Sequence, residues 1–347
     1  MINGMLSALP RLKFNLSRVI FYLVTFVALV LVYAKFSEFR LLLAIFEKAN
    51  LWWLVGIALT QLLFYYFLTL NYRDVLRIKD LQVSIRELFP LVFVIQFLNQ
   101  ALPSATISGQ AFFVMYLRKF GMPFAESMSR ALLELMTLYI AIGAFFVASV
   151  SMLFASRGLF DHPELAYLIY VFLFFGIIFA GIFIALQRKK RSRFMKWMIF
   201  KLRKYFENGP NIEEIIQQMK ETVGINKLKH HRLTFWSACL WQGLELLMNV
   251  FTLYFVFFAI GEPLSFTASF IVFTLTRFIS MVSFIPGAFG IFEGSMTFVL
   301  ATFGMPIGPA LAATLLFRAF SFWLPLPVGW WLYRKYMHAF TDDKQNI

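Results

Sequence analysis

Six stretches of this chain, at about 18–35, 51–71, 128–153, 164–187, 234–260 and 306–333, are unbroken apolar runs that reach or approach the length of a membrane-crossing helix. A helix rising 1.5 Å per residue needs about 20 residues to cover roughly 30 Å of hydrocarbon. A soluble core cannot use so much apolar surface: 60% of the 347 residues are hydrophobic and 14% charged, well outside the balance of an ordinary globular domain. The first run follows Arg11 and Lys13 and ends at Tyr33, Ala34 and Lys35 with no small-residue cleavage site. It therefore reads as a span and not as a signal peptide.

The formal net charge of +14 sits mostly in short stretches flanking the apolar runs. Such a pattern encodes orientation rather than a nucleic-acid footprint, because basic residues in short loops mark the cytoplasmic side. Nucleic acid is thus not an expected partner. Cys239 is the single cysteine, which excludes disulfides within the chain, and His162, His230, His231 and His338 all fall outside the spans. No metal site and no cofactor are expected.

Two apolar regions do not read as simple crossings. Residues 88–120 are interrupted from Leu102 through Pro103 to Gly109, and residues 264–303 by Ile285, Pro286, Gly287, Ala288, Phe289 and Gly290. Arg73, Arg77, Lys79 and Arg86 precede the first region and Arg118 and Lys119 end it, so both of its ends read as cytoplasmic. An entering and returning segment there also puts the basic run Arg188 to Arg193 inside. By the same logic the second region opens from the external face, Arg334 and Lys335 return to the cytoplasm, and only Lys35, Arg40, Lys48 and Arg157 lie outside. The expectation is a multi-pass protein of the cytoplasmic (inner) membrane with both termini cytoplasmic. It divides into a membrane half at 1–187, a basic amphipathic cytoplasmic connector at 188–232 resting on anionic lipid, and a membrane half at 233–347.

Self-comparison supports two related halves. At a constant offset of 183, Pro103 falls on Pro286, Ala105 on Ala288, Leu117 on Leu300, and Phe120, Gly121, Met122 and Pro123 on Phe303, Gly304, Met305 and Pro306. Chance likeness of apolar segments is the bland alternative, and Pro and Gly merely kinking long spans is another. The expected fold is all-α: six full transmembrane helices plus two broken re-entrant hairpins, 88–120 and 264–303, arranged as an inverted repeat, as in many transporters. Irregular backbone at membrane depth must be packed in protein or line a wet cavity. The candidate break residues are Pro103, Gly109, Pro286, Gly287 and Gly290.

Charged residues inside the apolar regions are Arg130, Glu134, Glu245, Arg277, Glu293 and Arg318. Each costs about 2.5–3.5 kcal/mol at the bilayer centre unless it meets a partner or water. Arg130 and Glu134 lie four apart on one helix face, as a local ion pair would. Glu293 follows the second break where Gln110 follows the first, and Asn99 lines the approach to the first. These eight residues are the candidate substrate-binding set, with interhelical glue as the competing role. Arg277 and Arg318 suit a phosphate, since a guanidinium fork binds it bidentately.

The runs Leu102-Pro103 to Gly109-Gln110, Arg130 to Glu134, and Pro286-Gly287-x-x-Gly290-x-x-Glu293 followed by Gly304, Pro306, Arg318 and Gly329 resemble the flippase-like transmembrane region of lysylphosphatidylglycerol synthases, the multiple peptide resistance factors, in its stand-alone form. The resemblance covers about residues 18–335. It implies eight membrane-embedded elements and translocation of modified phospholipid between leaflets. Gln110 departs from the acidic residue usual there, and Leu135 and Leu138 from common charges. No aminoacyl-transfer domain is visible, so the chain is not expected to make lysyl-lipid itself.

The expected function is translocation of a phospholipid or lipid-linked anionic substrate, with membrane lipids bearing anionic head-groups as partners. The alternatives are a membrane-embedded glycosyl or lipid head-group transferase and a non-catalytic subunit of a lipid-modifying enzyme. A homodimer or a partner lipid-modifying enzyme is compatible with each of these.

Overall fold

The computed structural model describes residues 47, 49–78, 81–102, 107–155, 231–281 and 285–342. The expected spans at 18–35 and 164–187, nearly all of the connector 188–232, and Pro103 lie outside the described residues. All the secondary structure among those described is helical. The helices are α1 (Leu51–Arg77), α2 (Ile85–Ala101), α3 (Ile107–Lys119), α4 (Phe124–Ala155), α5 (Arg232–Ile260), α6 (Phe266–Met281), α7 (Ile291–Thr302), α8 (Ile307–Arg318) and α9 (Pro325–Asp342). A short 3-10 turn at Pro286–Ala288 precedes α7, and a π turn at Ala319–Trp323 joins α8 to α9.

Four of these are long and apolar enough to cross a membrane: α1, α4 up to Leu153, α5, and the continuous rod Ile307–Met337 formed by α8, the π turn and α9. Polarity is turned inside out relative to a soluble protein. Thr60, Gln61, Asn71, Gln242, Glu245 and Arg318 are buried, whereas Leu51, Trp52, Val55, Leu59, Leu62, Leu240 and Phe298 are exposed. That distribution fits hydrocarbon as the surrounding medium, and the chain is a multi-pass integral membrane protein.

The offset of 183 governs the helices as well as the sequence. Adding it to the bounds of α1, α2, α3 and α4 gives 234–260, 268–284, 290–302 and 307–338, against observed bounds of 232–260, 266–281, 291–302 and 307–337. Equivalent helices α1 and α5 run antiparallel. Asn50 N donates to Ala259 O at 3.1 Å near one end. Thr60 Oγ1 meets Thr252 Oγ1 at 2.8 Å, and Gln61 Nε2 donates to Thr252 Oγ1 at 2.8 Å and to Asn249 Oδ1 at 3.2 Å. Asn71 Nδ2 donates to Ala238 O at 2.9 Å, and Asp74 Oδ2 accepts from Ser237 Oγ at 2.6 Å and Trp241 Nε1 at 2.9 Å near the other end. Numbers rise along one helix as they fall along the other. Membrane helices lack a hydrophobic drive to associate, so polar pairs and close packing hold the seam.

Helix α1 runs to Arg77, six residues past the end expected from hydropathy at 71. Arg73, Asp74 and Arg77 lower the apolar average there, yet Val75, Leu76 and Asp74 are buried. The basic stretch between this helix and the first broken region is correspondingly shorter.

The first broken region is a hairpin. Tyr336 on α9 touches both of its outer ends: its hydroxyl donates to Glu87 O at 3.4 Å and its ring lies 5.9 Å from that of Tyr116. One turn earlier, Tyr333 meets Phe97 and Phe112, again one residue from each arm. At the tip, Ser108 Oγ donates to Leu98 O at 2.8 Å and Gly109 N to Asn99 Oδ1 at 2.9 Å. A Cβ at Gly109 would stand 2.5 Å from Asn99 Oδ1 and 2.6 Å from Ile95 O. Gly109→Ala is therefore expected to destabilise the protein by about 1–3 kcal/mol through overpacking. Gly143→Ala, where a Cβ meets nothing within 4 Å, is expected to leave stability unchanged; thermal unfolding of the purified variants compares the two.

Candidate functional site

The tip of the first hairpin and the second break lie against each other. Gly287 has φ 57° and comes so close to the Phe322 ring that a Cβ would overlap it, and that Cβ would also lie 3.4 Å from Gln100 O at the end of α2. Only glycine adopts this conformation freely and allows this approach. Gln100 Nε2 donates to Ser321 O, within the π turn, at 3.4 Å.

At the second break the irregular backbone is held by two charged side chains. Glu293, in the first turn of α7, accepts from Gly290 N at 2.7 Å through Oε2. Through Oε1 it accepts from Arg318 Nε at 2.8 Å. Arg318 Nη2 then donates to Gly287 O at 2.7 Å. The guanidinium also lies over Phe322, Phe292 and Phe289, at 4.2, 4.7 and 5.3 Å from the ring centroids. Arg318 and Glu293 are 5% and 7% exposed. A buried ion pair persists only where further hydrogen bonds satisfy it, and here the break supplies them. The sequence suggested Arg318 as a phosphate ligand; in the structure its guanidinium is engaged in fixing the turn.

At the first break the equivalent tie has other chemistry. Gln110, at the position matching Glu293, donates through Nε2 to Tyr72 Oη at 3.1 Å and to Glu134 Oε2. Glu134 lies on α4, where Arg318 lies on α8. The ion pair expected between Arg130 and Glu134 does not form. Arg130 pairs with Glu126, Nη2 to Oε1 at 3.0 Å, and donates from Nη1 to Leu76 O at 2.7 Å. The i, i+4 spacing is met on both sides of Arg130, and the side chain turns toward the helix end. Arg130 thus stands apart from the other candidates.

Glu245 on α5 accepts from Gln242 Nε2 at 2.8 Å. It lies within electrostatic reach of Glu134, and Arg277 on α6 lies within reach of Glu245. Arg277 is half-buried. Its Nε is enclosed without a hydrogen-bond partner among the described residues, as are Thr274 Oγ1 and Thr276 Oγ1 on the same helix. The structure therefore gathers Gln110, Glu134, Glu245 and Arg277 into one polar region between the two halves. Asn99, Gly109, Gly287, Gly290, Glu293 and Arg318 form the scaffold of the breaks. Pro286 opens the 3-10 turn.

Tyr72, Gln242 and the α1–α5 seam residues escaped the sequence reading. Gln242 carried a usable signal, three positions before Glu245 on one face of the helix. Among the described residues no group of three or more His, Cys, Asp or Glu side chains could hold a metal ion.

Arg318→Met leaves Glu293 buried without its cation, and Glu293→Gln does the converse. Each single variant is expected to lose about 3–5 kcal/mol of stability. The double variant is expected to lose less than the sum, which a double-mutant cycle on unfolding measures.

Comparison with known proteins agrees with a membrane protein. The profile of the lysylphosphatidylglycerol synthase TM region matches residues 19–329. A UPF0104 membrane protein of Methanocaldococcus jannaschii is 25% identical over 277 residues, covering 78% of this chain and 80% of that protein. One from Pyrococcus horikoshii is 23% identical over 268 residues, covering 72% and 77%. A shorter stretch of 86 residues is 37% identical to a UPF0104 membrane protein of Methanothermobacter thermautotrophicus, 25% of this chain and 26% of that one. With nearly its whole length matched, the chain belongs to the lysylphosphatidylglycerol synthase TM region family.

Proposed function

We propose that this chain moves a phospholipid or lipid-linked anionic substrate between the leaflets of the cytoplasmic membrane. The two helix–break–helix units act as re-entrant hairpins entering from opposite faces. With the four long helices and the two apolar runs at 18–35 and 164–187, they make six spans and two hairpins in an inverted repeat, with both termini cytoplasmic. The antiparallel run of α1 and α5 and the shared offset of 183 support this arrangement. The substrate region is Gln110, Glu134, Glu245 and Arg277, between the halves.

Arg277 is the observation that carries the reading. It is a half-buried guanidinium on a short apolar helix, with no ion pair among the described residues and two unpartnered threonine hydroxyls beside it in sequence. A charge kept at such a place is costly unless it serves an ion or substrate path. A guanidinium fork matches a phosphate. The head-group enters while its acyl chains stay in lipid, and movement of the hairpins about the α1–α5 seam exposes it to the opposite face.

Two outcomes are expected. In reconstituted vesicles the protein speeds transfer of fluorescent phosphatidylglycerol between leaflets, and Arg277→Ala lowers that rate to the level of empty vesicles while leaving thermal stability near wild type; equal rates with and without wild-type protein defeat the reading. For topology, cysteines replacing Lys119 and Glu262 in a Cys239→Ala background are expected to react with impermeant reagent from the cytoplasmic and the external side respectively. Labelling of both from one side contradicts hairpins of opposite entry.

A further inference from the structure

Two carboxylates in the polar region have no task in binding an anion. Glu134 and Glu245 are 3% and 4% exposed. Each takes one hydrogen bond, from the amide of a glutamine: Gln110 Nε2 to Glu134, and Gln242 Nε2 to Glu245 at 2.8 Å. Neither has an ion pair among the described residues. The two glutamines are themselves buried, at 7% and 1% exposure, and Oε1 of each is enclosed with no donor. The same unit, a carboxylate held by a glutamine whose own oxygen lacks a partner, thus occurs twice within electrostatic reach of itself.

A buried amide oxygen without a donor costs free energy, and so does a buried carboxylate with one neutral donor. A proton removes the charge of the carboxylate and offers the amide oxygen a donor, with the amino end of the amide then turned to the enclosed side. If the Gln110 amide turns over, Oε1 takes the place of Nε2. There it accepts from the Tyr72 hydroxyl and, once Glu134 carries a proton, from the carboxyl O–H as well. Amide orientation follows the hydrogen-bond network, so the two protonation states select the two orientations. Gln242 and Glu245 stand in the same relation. The ionisable groups facing the pair are Tyr65 and Tyr72 on α1, Tyr139 on α4 and Arg277 on α6. Helix α3 brings only Gln110 to it, and Arg318 of α8 is taken by Glu293.

We propose that Gln110–Glu134 and Gln242–Glu245 form a proton-binding site, and that a proton taken up from one aqueous face and released to the other drives translocation. The only bond made and broken is a carboxyl O–H. The coupling rests on the translocator reading; the proton binding does not.

Infrared difference spectra of the purified full chain in lipid nanodiscs, stepped in pH, test the binding directly. Wild type is expected to show a carboxylic-acid C=O band that vanishes as pH rises. Glu134→Gln and Glu245→Gln are each expected to remove part of it, and Glu262→Gln, at an exposed loop position, none. Absence of the band, or a band untouched by both variants, overturns the proposal. Should those variants fail to fold, Gln110→Leu and Gln242→Leu are expected to displace the titration midpoint, and an unmoved midpoint overturns it equally. In vesicles, collapse of a pH gradient with a protonophore is expected to slow transfer of labelled phosphatidylglycerol by wild type, while Glu134→Gln does not respond. Transfer that ignores the pH gradient, or that follows a sodium gradient instead, overturns the coupling. A titrating band with no lipid transfer at all upholds the proton site and defeats the translocator reading.

Discussion

An unpaired backbone N–H or C=O in hydrocarbon costs several kcal/mol, and the side chains around the two breaks are arranged to meet that demand. Asn99 caps the amide of Gly109, Ser108 reaches back to Leu98 O, Glu293 caps Gly290 N, and Arg318 reaches Gly287 O. Charged residues otherwise foreign to a bilayer become useful here because they bond to irregular main chain. Arg318 owes its depth to this task, since the guanidinium joins a carbonyl, a carboxylate and three aromatic faces at one point.

The two halves share a skeleton but not a chemistry. Helix bounds agree to within a few residues at one offset, whereas the tie between each hairpin and the helix after it differs. In the second half it is an ion pair, Glu293 with Arg318; in the first it is an amide on a carboxylate, Gln110 with Glu134. Gln110 and Glu293 correspond at the offset, and Arg318 lies one residue beyond the counterpart of Glu134. The second tie is electrically closed. The first leaves a carboxylate with no ion pair among the described residues, within electrostatic reach of Glu245 in the other half.

Much of this was legible in the residues. Long apolar runs, the two interruptions and the repeat register follow from hydropathy and a four-residue identity, because lipid leaves few ways to bury a backbone. What hydropathy missed was polar structure inside the bundle. It ended α1 at residue 71 since Arg73, Asp74 and Arg77 depress the local average, although Asp74 is buried against Ser237 and Trp241. Spacing on one helix paired Arg130 with Glu134, because sequence shows both i+4 and i−4 neighbours but not which way the side chain turns. Gln61 and Tyr72 gave no warning by type alone. Their partners Thr252 and Gln110 lie 191 and 38 residues away along the chain.

The seam between α1 and α5 bears on how such a molecule can move. It is pinned near one end by Asn50 to Ala259, in the middle by Thr60 and Gln61, and near the other end by Asn71 and Asp74. Fasteners spread along a rod forbid sliding, because a slip of one residue would unhook every one of them together. Among the described helices this pair is thus the fixed seam, and a swing between states would fall to the glycine-jointed arms around it.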